Sequence, residues 1–238
     1  MTVIVVSGTG TEIGKTIVTA AVAAVATAQG RSVAVLKPAQ TGIGPDERGD
    51  ADEVVRLSGA AASVELARFP EPLAPVTSAR RAGMAPVGPA EVAAAARKLA
   101  EEHDLVLVEG AGGLLVRFDE AGGTLADAAR LLSAPVLVVA PAGLGTLNST
   151  TLTTEALRAR DLEPLGVVVG SWPAAPDLAA RCNLADLPES AGAPLLGAVP
   201  EGAGALAPEE FRARAADWLA PLLGGAWDAD AFARSVGC

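Results

Sequence analysis

Cysteine is nearly absent: Cys182 and Cys238 are the two in 238 residues. They lie far apart in sequence, so no disulfide framework is expected, and a reducing cytoplasm is the expected location. Histidine is rarer still. His103 stands alone just before an apolar run and reads as a surface residue at a helix end. Basic residues are few and scattered, and the formal net charge is −10. A sequence-independent grip on nucleic acid or acidic lipid needs clustered Lys and Arg, so neither partner is expected. No apolar run approaches the roughly 20 residues of a membrane span. The opening "MTVIVVSG" lacks a basic n-region and a small-residue cleavage site, so no signal peptide is expected.

Half of the chain is apolar, enough for one large core. Short apolar runs at 3–6, 32–37, 105–108, 135–140, 164–170 and 193–200 alternate with Ala-rich helical stretches at 15–28, 89–102 and 150–160. Thr124 with Asp127 three residues on marks a short helix start, and 208–222 reads as a closing helix. Residues 69–88, rich in Pro and Gly, read as a long loop. The strands run apolar without alternation, the mark of a parallel sheet covered on both faces. The expected fold is a single α/β domain, doubly wound, with helices on both faces of a mostly parallel sheet. Its motifs fall within 1–205, and 207–238 form a tail. In such a sheet, ligands bind beyond the carboxyl ends of the strands.

"GTGTEIGKT", residues 8–16, follows the first strand. A dinucleotide fingerprint fails here, because its third glycine would be Ile13 and strand two ends in Lys37 rather than an acid. A phosphate loop of the form G-x-x-x-x-G-K-[ST] fails only at its first glycine, where Thr9 stands. Gly14, Lys15 and Thr16 remain, at a helix start where backbone N–H groups converge on an anion. Lys15 then reaches the β- and γ-phosphates, and the Thr16 hydroxyl holds Mg²⁺.

The other strand ends add to this. Only three lysines occur, Lys15, Lys37 and Lys98. Two of them stand where a strand gives way, as compact cations suited to a phosphoryl group. Asp50 and Asp52 open a predicted helix. Glu109 ends a buried strand, where a carboxylate needs a partner, and Mg²⁺ is the natural one. Asn148 stands just ahead of a predicted helix, where N-capping explains it without any ligand.

The set "GTGTEIGKT", "LKPAQTG", "LVEGAGGLLV", "GLGTLN" and "PLLGAVP" resembles dethiobiotin synthetase, a biotin-pathway family of the deviant phosphate-loop class. Its loop, G-T-x-T-x-x-G-K-T, is matched at every fixed position. The resemblance implies a ligase that closes a ureido ring on 7,8-diaminononanoate with CO₂, driven by ATP or another nucleoside triphosphate and Mg²⁺. It implies Lys37 and Lys15 as catalytic residues, and Thr16, Asp50 and Glu109 as metal ligands. Asp50 is preferred to Asp52 only by counting along a loop of variable length. Nucleotide contacts are implied at Glu12, Ile13, Gly14, Lys15, Thr16, Ile17 and Asp50. Others are implied at Glu109, Gly110, Ala111 and Gly112, and at Gly170, Ser171, Pro200, Glu201 and Gly202. Substrate contacts are implied at Thr11, Thr41, Gly143, Leu144 and Asn148, the last three in a loop that completes the site of a homodimer partner.

One departure concerns the base. ATP-using members tend to carry an asparagine where Gly170 stands, so discrimination among bases is expected to be weak. Two other readings fit less well. Amide ligases of the cobyrinate type need a downstream glutaminase cysteine on a strand-to-helix elbow, and neither cysteine has that setting. Partitioning ATPases carry a second lysine near the loop's start, and this loop has none.

Overall fold

The structure, a computed structural model, describes residues 2–60 and 62–237. Cys238, and with it the expectation about cysteine pairing, lies outside the described residues. The chain opens with β1 (Thr2–Gly8), α1 (Lys15–Ala28) and β2 (Val33–Lys37). A short β3 (Gln40–Thr41), α2 (Asp50–Ser58), β4 (Ala62–Glu65), β5 (Arg68–Phe69) and α3 (Pro75–Ala82) follow. Then come α4 (Pro89–Glu102), β6 (Leu105–Gly113), α5 (Leu125–Leu132) and β7 (Val136–Ala140). The rest is α6 (Thr146–Arg158), β8 (Pro164–Trp172), α7 (Leu178–Ala191), β9 (Leu195–Pro200), α8 (Pro208–Arg214) and α9 (Ala229–Val236).

Seven strands form one sheet in the order β4-β2-β6-β1-β7-β8-β9, and every pairing is parallel. β3 and β5 pair separately as a two-residue ribbon. The chain winds from β1 outward to β4, then returns and winds the other way to β9. Right-handed crossovers therefore put the helices on opposite faces. Accordingly α1 packs on α2 and α2 on α8, while α4 packs on α5 and α6 on α7. The direction reverses beside β1, and the crevice above that point receives the loop of residues 9–14.

Burial on both faces explains the apolar strands: every residue of β2 and β7 is buried. α1 is alanine-rich for a related reason. Ala20, Ala21, Ala23 and Ala24 are all buried, and small side chains let the helix lie close to the sheet. At α5, Thr124 and Asp127 form the expected N-terminal pair. The Asp127 carboxylate accepts from the Thr124 N–H at 2.9 Å and from its hydroxyl at 2.7 Å.

Four expectations need correction. β6 runs on to Gly113, so Glu109 lies within the strand rather than at its end. The stretch 69–88 is not a long loop, because α3 lies within it. Pro75 stands at its first turn, where proline starts a helix rather than breaking one, and Gly83 closes it in the left-handed region. The helix expected at 208–222 stops at Arg214. Short 3₁₀ turns follow at Ala215–Trp218 and Pro221–Leu223. The change of path buries Trp218 and Leu219. It also lets the Ala220 N–H donate to the Leu196 carbonyl of β9, with Leu219 bridged antiparallel to Gly197. Finally, α6 begins at Thr146, not at residue 150, with Gly145 as its N-cap. Asn148 is thus inside the first turn and is not a capping residue.

The tail is anchored by aromatic contacts. Phe211 is fully buried, and its ring meets Trp218 edge-on at 5.2 Å. Phe211→Ala should therefore destabilise the fold by about 3–5 kcal/mol, read from urea denaturation. A loss under about 1 kcal/mol would show that the tail is not part of the cooperative core.

Candidate active site

The carboxyl ends of β1, β2 and β6 open into a cleft of about 860 Å³. Its floor is the loop after β1. Gly14 has φ 89° and Glu12 has φ 57°. The left-handed turn at a non-glycine residue marks a loop held by its surroundings. Residues 11–17, the loop and the first turn of α1, line the cleft, and a loop leading into a helix N-terminus suits an anion. Lys15 is largely buried, and its Nζ donates to the Gly10 carbonyl at 2.7 Å.

Four side chains converge beside that loop. Glu109 is 1% exposed and Lys37 3%, Lys37 as the last residue of β2 and Glu109 within β6. The Lys37 Nζ lies 2.8 Å from Glu109 Oε1 and 2.5 Å from Asp50 Oδ2, and it also donates to the Gly110 carbonyl at 3.2 Å. The Thr16 hydroxyl donates to the same Glu109 Oε1 at 2.9 Å. Glu109 Oε2 is buried with no partner. Burial pushes the Lys37 ammonium down, but Glu109 and Asp50 outweigh burial and hold its pKa above the ordinary lysine value. Lys15 is pushed below that value by burial first and by the Lys37 charge second.

Asp50 and Asp52 are separated clearly. Asp52 accepts from the Gly49 N–H at 3.2 Å and caps α2, while Asp50 turns into the cleft. The Asp50 N–H donates to Gln40 Oε1 at 2.9 Å, so Gln40 fixes where α2 begins. Gln40, half-hidden in "LKPAQTG", is a site residue that the sequence reading passed over. The wall formed by Pro72, Leu73, Ala74 and Pro75 was missed with α3. Ala39, Gly42 and Val116 complete the lining.

Thr11, Glu12, Ile13, Gly14, Lys15, Thr16, Ile17, Lys37, Thr41, Asp50, Glu109, Ala111 and Gly112 all line this one cleft. Gly110 is not in the lining, but its carbonyl meets Lys37 beside the cleft; the remaining expected contacts lie elsewhere. Gly143, Leu144 and Asn148 sit at the start of α6, away from the cleft, and Leu144 is 88% exposed. Gly170 lies under the phosphate loop. A Cβ there would stand 2.0 Å from the Ile13 carbonyl oxygen, and one on Gly14 would stand 2.2 Å from that of Gly170. Only glycine permits this approach, so the end of β8 offers backbone and no side chain at 170. Ser171 is exposed, and the Glu201 N–H donates to the Trp172 carbonyl at 2.7 Å. That bond ties Pro200, Glu201 and Gly202 to the end of β8.

A strand, a glycine-lysine-threonine loop, a helix N-terminus and a buried acid on a neighbouring strand define a phosphate-loop nucleotide-binding α/β protein. Solved structures agree on the fold. A Pyrococcus furiosus cell division ATPase MinD aligns with TM-score 0.53 and 19% identity over 90% of this chain and 88% of its own. Chloroplast FtsY from Physcomitrella patens aligns with TM-score 0.58 and 18% identity over 100% of this chain and 65% of its own.

An AAA domain family model matches residues 2–208. The ATP-dependent dethiobiotin synthetase BioD of Streptomyces avermitilis is 74% identical, covering 99% of each chain. That of Mycobacteroides abscessus is 51% identical, over 89% of this chain and 92% of its own. This chain belongs to the ATP-dependent dethiobiotin synthetase family, ligases that form a C–N bond.

Proposed function

We propose that this enzyme makes dethiobiotin from 7,8-diaminononanoate, CO₂ and a nucleoside triphosphate in the 860 Å³ cleft. The observation that carries the proposal is the convergence of Lys37, Glu109, Asp50 and Thr16 beside the loop at 10–16. One substrate amine takes up CO₂ as a carbamate. A carbamate oxygen attacks the γ-phosphorus, the bond to the β-bridging oxygen breaks, and nucleoside diphosphate leaves. The second amine attacks the carbamoyl carbon of the mixed anhydride. Phosphate departs, and the ureido ring closes with loss of the amine protons. No protein nucleophile takes part, so catalysis is positioning and charge neutralisation.

The loop N–H groups and Lys15 bind the phosphates. Lys37 faces the transferred phosphoryl group and stabilises charge there. Thr41 and Thr11, on the cleft wall, orient the diamine. Thr16, Asp50 and Glu109 would hold Mg²⁺, an oxygen-seeking ion that keeps waters and phosphate oxygens as further ligands. The unpartnered Glu109 Oε2 supports that fit. When bound, the ion neutralises phosphate charge.

Assembly as a homodimer is part of the proposal. Leu144, Leu152 and Leu115 are exposed. A shallow groove of about 370 Å³ lies between residues 113–116 and α6. The α6 N-terminus beside Gly143 and Leu144 suits the substrate carboxylate of a second copy. No helix among the described residues is long and apolar enough to cross a membrane.

Dethiobiotin formation from diaminononanoate, bicarbonate, Mg²⁺ and ATP tests the activity directly. Lys37→Gln should keep its fold and lose at least ~10²-fold in kcat, the typical loss of one preorganised charge; an unchanged kcat would remove Lys37 from the chemistry. Asn148→Ala should raise the KM for diaminononanoate and spare that for nucleotide, with wild type a dimer in light scattering. A fully active monomer would overturn the shared site. Because the end of β8 carries no side-chain amide to read a base, CTP, GTP and UTP should work within about tenfold of ATP in kcat/KM. A bidentate base contact is worth roughly 1–3 kcal/mol, so a preference for ATP above about 100-fold would show that the base is read elsewhere.

A further inference from the structure

We infer that Lys37 is a resident counter-ion that must be displaced before the metal is held, so that loading the metal releases the catalytic ammonium. The inference rests on the metal role proposed above for Thr16, Asp50 and Glu109.

All three oxygen donors are already engaged around one point. Asp50 Oδ2 and Glu109 Oε1 both lie within 2.8 Å of Lys37 Nζ, and the Thr16 hydroxyl donates to that same Oε1. Magnesium binds oxygen at roughly 2.1 Å, so an ion on these donors would be close to the ammonium. Like charges that close repel strongly where water is scarce. Something must yield, and the anchoring of each group decides which. Glu109 extends from a central strand and Asp50 is fixed at the first turn of α2 by Gln40. Lys37 has a long flexible stem, and the cleft it lines offers room.

Charge balance points the same way. Two carboxylates share one ammonium, and Glu109 Oε2 is left without any partner. A divalent ion matches the pair better and can use the spare oxygen. Until then Lys37 satisfies the buried carboxylate, which would otherwise be a costly unpaired charge. The device has a catalytic consequence. Lys37 is neutralised by its own protein while the metal is absent and becomes an unpaired cation facing the cleft once the metal is in place. The group that stabilises phosphoryl transfer is then presented only to a metal-loaded site.

Two measurements test this without assaying turnover. Mn²⁺ binding, followed by electron paramagnetic resonance, should be roughly 5–150-fold tighter in Lys37→Met than in wild type, the range of ordinary coupling between sites. It should be weaker in Glu109→Gln. The second measurement needs no variant and so does not depend on Lys37→Met folding. Acylation of wild-type lysines by a small amine-directed reagent, read by mass spectrometry, should rise at least ~5-fold at Lys37 when millimolar Mg²⁺ is added. Exposed Lys98 serves as the internal control. Unchanged or weaker Mn²⁺ affinity in Lys37→Met, or Lys37 labelling indifferent to Mg²⁺ while Glu109→Gln still loses metal, would overturn the displacement and leave the metal site standing. Unchanged Mn²⁺ affinity in Glu109→Gln would overturn the metal site itself, and the displacement with it.

Discussion

A carboxylate buried within a central strand cannot be left alone, and the site is organised around meeting that demand. Glu109 lies within β6, between β2 and β1, so the groups able to reach it come from those neighbours. β2 supplies Lys37, and the helix after β1 supplies Thr16. Register does the rest. Val6 stands opposite Glu109 and Leu36 opposite Val108, so loop, lysine and acid arrive at one level. The parallel sheet thus brings residues from β2, β6, α1 and α2 into a single polar focus in an otherwise apolar interior.

The same geometry explains how far the chain could be read before folding. Strands were legible because a sheet covered on both faces demands continuous apolar runs, and β2 and β7 obey that rule without exception. Lys37 and Glu109 were legible because each directly follows an apolar run, and Lys15 because it stands in the loop motif after β1. The failures have one theme: a residue with two local meanings. Pro75 reads as a breaker and is a helix start. Asp50 and Asp52 are equivalent in composition, and only the phase of α2 assigns one to the cleft and one to the cap. Gln40 carries no charge and offers no periodicity, so its role appears only when the Asp50 N–H is seen to need an acceptor.

Gly170 shows a different limit. In sequence it is a departure from an expected amide, and the natural inference concerns base recognition. In the fold it is first a matter of space, since the Ile13 carbonyl occupies the volume a side chain would need. Steric and functional consequences are linked here. A loop that rests on the end of β8 denies that strand a side chain, and whatever meets the base must be main chain or come from further along.

The tail has a meaning beyond its aromatic anchors. β9 is the last strand of the sheet, and a bare strand edge invites pairing with another chain. By leaving its helix at Arg214, the tail places Leu219 against Gly197 and the Ala220 N–H on the Leu196 carbonyl. The edge is therefore already partnered by the protein's own backbone. A segment without a recognisable motif thus blocks that edge to strand addition at Leu196 and Gly197.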